Sequence, residues 1–166
     1  LMNPVPPSLI YEWDVAQVGH SSNIFTYKVT AKQIANYCEA VGYENPIYIN
    51  DDVARALGHE GIIAPPTMIY TFAPQRRDSL ISEQGYLAPE QSAENPRSTP
   101  FVGSTIRFLG MPVRPGDIIT STTVVKEKFE RRGNRFITFH VIGFNQHGVK
   151  VADYSYTCIW ERKDKE

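Results

Sequence analysis

Apolar positions along this chain fall into two textures. Before residue 74 they gather in short stretches broken by Gly, Pro and Asn, and from Phe101 onward they lie in long β-prone runs separated by turn residues. Ile24, Phe25, Tyr27 and Val29 make one short β-prone run. Thr30 then offers an N-cap for a helix over 31–41, with Ile34, Cys38 and Val41 on one stripe and Gly42 as its stop. Asn50 or Asp51 caps a second helix, DDVARAL, closed by Gly58. The segment GIIAPPTMIYTFAP leads into a third. Pro66 suits its first position, where the missing N–H costs nothing, and residues 67–73 are almost wholly apolar, which predicts a helix buried all round.

Four β-prone runs follow: FVGSTIRFL, DIITSTTVVKEKFER, RFITFHVIGF and VKVADYSYTCIWE. Arg114–Gly116, Arg132–Asn134 and Asn145–Gly148 carry the turn chemistry between them. Runs of this length joined by short turns predict an antiparallel meander long enough to wrap around the apolar helix, an α+β architecture. Pro4, Pro6 and Pro7 make residues 1–8 a poor helix or central strand, and 1–23 read as an N-terminal arm. Residues 74–100 are rich in charge, Ser and Pro and read as a surface excursion, leaving 24–166 as a single domain.

At 166 residues one domain is the expected unit. Seventeen basic side chains against eighteen acidic ones, spread without blocks, lack the basic footprint of a nucleic-acid binder. No apolar run reaches the roughly 18–20 residues a transmembrane helix needs, so no membrane partner is expected. The two cysteines, Cys38 and Cys158, form no CxxC or Cys/His cluster, which argues against a disulfide framework and against a structural metal site. With no basic segment followed by an apolar one near the start, the reading is cytoplasmic. None of the four histidines has metal-ligand spacing relative to another. His140 reads as a packed or hydrogen-bonded sheet residue and His59 as a helix-end contact. Tyr154, Tyr156 and Trp160 share one strand face and read as core packing.

The residues VGYENPIYI at 41–49, the short helix after them, the APPT segment at 64–67 and the RPGD turn at 114–117 together resemble the MaoC-like dehydratases and (R)-specific enoyl-thioester hydratases. The resemblance runs over most of the chain. It is nearer still to the non-catalytic subunits of mycobacterial hydroxyacyl-ACP dehydratases, where a similar APxT segment precedes the buried helix. It implies the hot-dog fold, a curved antiparallel sheet wrapped around a central helix. It also implies an acyl chain carried as a CoA or ACP thioester, no cofactor, and a homodimer or a heterodimer with a related hot-dog subunit.

Active members carry GDxNPxH, whose Asp and His activate water for addition across a 2-enoyl thioester. Here Tyr43 and Tyr48 occupy those two positions while Asn45 and Pro46 keep the turn. A phenol, with a reference pKa near 10, is a poor base at neutral pH. Active members also have HGM at the mouth of the buried helix, its glycine N–H facing the thioester carbonyl. Ala64, Pro65 and Pro66 stand there instead, and Pro65 has no N–H to give, although Thr67 just after the two prolines does. The resemblance thus implies a substrate-binding or structural subunit, with Asn45, Ala64, Pro65, Pro66 and Thr67 toward the ligand. Glu44 is either a solvated turn carboxylate or a displaced base, and the latter would make the chain a self-sufficient hydratase or thioesterase. An acyl-CoA binding protein is a third alternative. Arg76 and Arg77 are candidates for the ligand's phosphates, ahead of Arg131, Arg132 and Arg135 at a hairpin tip, since guanidinium groups bind phosphate well.

Overall fold

The computed structural model describes residues 9–163; the proline-rich start of the expected arm lies outside them. Five antiparallel strands form one sheet in the order β1-β3-β4-β5-β2. They are β1 (Phe25–Lys28), β2 (Phe101–Ile106), β3 (Ile118–Arg131), β4 (Asn134–Phe144) and β5 (Lys150–Glu161). Strands β3 to β5 do form a meander. Arg132 and Gly133 both take positive φ (53° and 80°), the two-residue turn whose twist suits a hairpin. Asn145 turns the next corner, its side-chain oxygen accepting from the N–H groups of His147 and Val149.

The run at Phe101 is not part of that meander. β2 pairs with β5 at one edge, and residues 107–117 carry the chain across to β3, which pairs with β1 near the other. The Arg114–Gly116 turn exists, with Gly116 at φ 93° and Asp117 accepting from the Arg114 N–H, but it ends a crossover rather than a hairpin. Turn residues report that the chain reverses, not which strand it meets.

Alternation sets the faces. Ile119 and Val125 from β3, Ile137, Phe139 and Val141 from β4, and Tyr154, Tyr156 and Trp160 from β5 are buried on the inner face. Against them lies the central helix, a 3-10 turn over Pro66–Met68 that runs on through Ile69–Phe72. Helix α1 (Ala31–Val41) starts at a Thr30–Gln33 capping box and ends at Gly42 with φ 73°; α2 (Asp51–Ala56) is capped by Asn50; α3 spans Ile69–Phe72 and α4 Arg77–Glu83. At Gly143 the sheet lies close against the C-terminal end of the central helix. A Cβ there would lie 3.1 Å from the Ala152 methyl and 3.5 Å from that of Ala73.

This is the hot-dog arrangement, and four local expectations change within it. The central helix is not buried all round: Met68, Ile69 and Phe72 are, while Thr67, Tyr70 and Thr71 are exposed, because the sheet covers one side only. Val41 is exposed, and Tyr37 instead joins Ile34 and Cys38 in packing inward. The 74–100 segment contributes to the core through Leu80, Ile81 and Ala88; its charged residues mask these few apolar anchors when composition is averaged. In the expected arm Ile10, Tyr11 and Ala16 are buried, and the Trp160 indole N–H donates to the Tyr11 carbonyl at 2.7 Å. No helix among the described residues is long and apolar enough to cross a membrane.

Candidate functional site

The loop after α1 is shaped by its own side chains. Gly42 turns it in the left-handed region, Asn45 accepts from the Ile47 N–H, and Pro46 begins a 3-10 turn ending at Tyr48. This folds Tyr43, Glu44, Asn45 and Tyr48 against Pro66 and Thr67, and the six residues with Gly42 line a cleft of about 370 Å³. Tyr37 reaches the same place from α1. Its hydroxyl donates to Thr67 Oγ1 at 3.0 Å, and the Tyr43 hydroxyl lies 3.2 Å from that same oxygen. The Tyr43 ring sits 6.3 Å from that of Tyr37 and 6.2 Å from that of Tyr48.

The chemistry here is that of neutral hydroxyls. Burial pushes the Tyr48 phenol above its ordinary value, and the neighbouring Tyr43 and Cys38 push the same way. Glu44 is exposed at the rim and has no hydrogen-bond partner among the described residues. Pro65 is buried at the mouth of the central helix and donates nothing, and Ala64 uses its N–H on the Val113 carbonyl at 2.7 Å.

A second hollow lies alongside. Ala64, Pro65, Pro66, Ile69 and Phe72 form one wall of a mostly apolar cavity of about 270 Å³, and residues 107–113 with Val151 close it. Pro66 borders both the cavity and the cleft. The sequence gives little notice of the 107–113 wall, since Phe108 and Met111 sit in an irregular connection. Tyr37 was legible only as a residue three places after buried Ile34.

Arg76 and Arg77 are not part of this assembly, against expectation. They follow the far end of the central helix. The Arg77 guanidinium donates to Asp78, to both Glu90 oxygens and to Thr99. With its donors satisfied inside the chain it has none left for a phosphate. Arg76 stacks over Phe25 and donates to Asn23. At the hairpin, Arg135 is tied to Glu130 and Glu161, while Arg131 and Arg132 are exposed. The Asp153 carboxylate accepts from His140 Nε2 at 2.8 Å, a hydrogen bond within the sheet, and His59 borders the apolar cavity. No group of three His, Cys, Asp or Glu side chains among the described residues is arranged to hold a metal ion.

A hot-dog sheet with a polar cleft and an apolar cavity at the mouth of its helix is the architecture that the resemblance to the MaoC-like hydratases and dehydratases implies. A family model described as FAS1-like, dehydratase domain region, matches residues 16–154, and the chain belongs to that family. Among curated relatives, a UPF0336 protein of Streptomyces griseus is 30% identical over 112 residues, 67% of this chain and 69% of that one. The 3-oxo-4,17-pregnadiene-20-carboxyl-CoA hydratase alpha subunit of Mycobacterium tuberculosis is 56% identical over 41 residues, 25% of this chain and 13% of that one. Among solved structures, a monoamine oxidase regulatory protein from Archaeoglobus superposes with a TM-score of 0.74 at 20% identity, over 92% of this chain and 95% of that one. The R-hydratase PhaJ1 of Pseudomonas aeruginosa gives 0.64 at 20% identity, over 92% and 86%. The ChsH1-ChsH2 complex of M. tuberculosis gives 0.66 at 21% identity, over 86% and 89%. At these identities the structural likeness is one of fold.

Proposed function

We propose that this chain is a substrate-binding subunit of an acyl-thioester hydratase or dehydratase, completed by a related hot-dog subunit that supplies the Asp and His. The observation that carries the reading is that both positions of the acid–base pair hold tyrosines, Tyr48 as a phenol made harder to ionise by burial. General acid–base work near neutral pH needs groups that titrate there, and among the described residues the only carboxylate lining the cleft is the exposed Glu44. Support for a two-subunit assembly comes from the complex among the structural neighbours and from the short, strong match to an alpha subunit of a CoA-thioester hydratase.

In this reading the thioester lies in the cleft and the acyl chain in the adjoining apolar cavity. The reaction adds or removes water and calls for no cofactor; CoA or ACP is the carrier. Strand β2 offers the partner an edge. Among the described residues only β5 pairs with it, and Phe101 and Val102 on it are exposed at 55% and 49%. An unpaired apolar edge is otherwise a liability.

The test is hydration of crotonyl-CoA and longer 2-enoyl-CoAs, followed by loss of enoyl-thioester absorbance. The chain alone should give no turnover, and co-purification with a hot-dog partner carrying the Asp/His pair should restore it. Turnover by the chain alone, abolished by Glu44→Gln, would overturn the proposal in favour of a displaced base. Sedimentation showing a monomer at micromolar concentration with every such partner would remove the assembly.

A further inference from the structure

We infer that Thr67 binds an uncharged carbonyl oxygen of the acyl-thioester ligand through a hydroxyl hydrogen that Tyr37 and Tyr43 direct into the cleft. This rests on the substrate-binding reading and deepens it.

A hydroxyl has one hydrogen to donate and two lone pairs with which to accept. Tyr37 donates to Thr67 Oγ1, and the Tyr43 hydroxyl is within hydrogen-bond distance of the same atom. A phenol is the more acidic hydroxyl, hence the better donor and poorer acceptor, so Tyr43 donates as well and both lone pairs of Thr67 are filled. The Thr67 hydrogen then has no acceptor within the cluster, and no other hydrogen bond reaches that side chain among the described residues. Two incoming bonds also polarise it, which strengthens what it gives.

The surroundings select the ligand atom. Among the described residues Glu44 is the one charged residue lining the cleft, and its carboxylate repels an anionic acceptor far more than a neutral carbonyl. Pro66, next in sequence to Thr67, borders the apolar cavity too. A carbonyl held at Thr67 therefore puts the acyl group attached to it at that cavity's mouth. The carbonyl of the thioester and those of the pantetheine amides share this chemistry.

Calorimetric titration of the chain with butyryl-CoA and with its thioether analogue S-butyl-CoA, which keeps the amides but lacks the thioester carbonyl, separates the two sources. The expected result is about fivefold tighter binding of butyryl-CoA, the size of one modest net hydrogen bond. Thr67→Val should erase that preference without changing S-butyl-CoA affinity, and Thr67→Ser should keep it. Tyr37→Phe and Tyr43→Phe should each shrink it in part, again sparing the thioether; a merely structural role would weaken both ligands alike and would not be rescued by serine. Equal binding of both ligands, weakened alike by Thr67→Val and restored by Thr67→Ser, assigns the contact to an amide carbonyl. Binding of both ligands that ignores Thr67→Val overturns the inference alone. Binding of neither overturns the substrate-binding reading, and the inference falls with it.

Discussion

The two ends of the central helix are built to different purposes. At its C-terminal end Phe72 and Ala73 are buried, the Tyr154 hydroxyl donates to the Ala73 carbonyl at 2.6 Å, and the Arg76 N–H reaches Thr123 Oγ1 at 3.0 Å. The carbonyl that the helix leaves free there is met by a side chain from the sheet. At its N-terminal end, one proline is buried, the next is exposed, and the polar groups of Thr67 face a cleft. The same seven residues, 66–72, are anchored at one end and open at the other. A site can remain incompletely satisfied because the stability comes from elsewhere along the same element.

That contrast can be broken from either side. The largest effect belongs to Phe72→Ala, which should destabilise by about 3–5 kcal/mol in denaturant unfolding, the range for emptying a core aromatic site. A loss below about 1 kcal/mol would deny that this end is the anchor. Tyr154→Phe keeps the ring and orphans the Ala73 carbonyl, and should cost about 1–3 kcal/mol. At the open end, Tyr43→Asp with Tyr48→His should cost about 1 kcal/mol, well short of Phe72→Ala, because Tyr43 is exposed and Tyr48 only half-buried. If the proposed alignment holds, the same variant should show faint enoyl-CoA hydration. Adding Ala64→His, Pro65→Gly and Pro66→Met should raise it further, because glycine restores a backbone donor where proline has none. A double variant as unstable as Phe72→Ala would mean that the cleft is structural.

The smallest effect is one of pH and lies in the sheet. Burial alone would raise the Asp153 carboxyl, but hydrogen bonds from His140 and Lys150 outweigh it and hold the group below its ordinary range. Glu90 is lowered in the same sense, burial being outweighed by the Thr99 bond, its own backbone N–H and Arg77. A depressed carboxyl contributes stability that is complete above its unfolded pKa of about 4 and is lost as pH falls through the lower folded value. Acid unfolding should therefore begin below about pH 4, and its slope should flatten in Asp153→Asn. An unchanged acid limb would show that the pair contributes nothing.

Much of the scaffold was legible in the chain. Thr30 caps α1 and Gly42 ends it because capping and left-handed turns are decided by atoms within a few residues. The long strands followed from β-prone runs bounded by turns, and Phe72 inside the sheet followed from an apolar stretch after Pro66. Tyr43 and Tyr48 at one turn followed from the NP pattern, though not what their hydroxyls meet.

What the sequence determined by itself is therefore the set of elements, their local ends, and the absence of an Asp/His pair at the turn that resembles the family's. Only the tertiary structure decided which strand β2 joins, that Leu80 and Ile81 leave a charged segment for the core, and that Arg77 is consumed by Glu90 and Asp78. It alone brought Tyr37 to Thr67 across thirty residues and Tyr154 to Ala73 across eighty-one. Caps and turns act through bonds within a turn of chain, so spacing records them. Contacts between distant segments depend on which apolar faces close over one another, and that outcome is written in the summed burial of the whole chain rather than in any stretch of it.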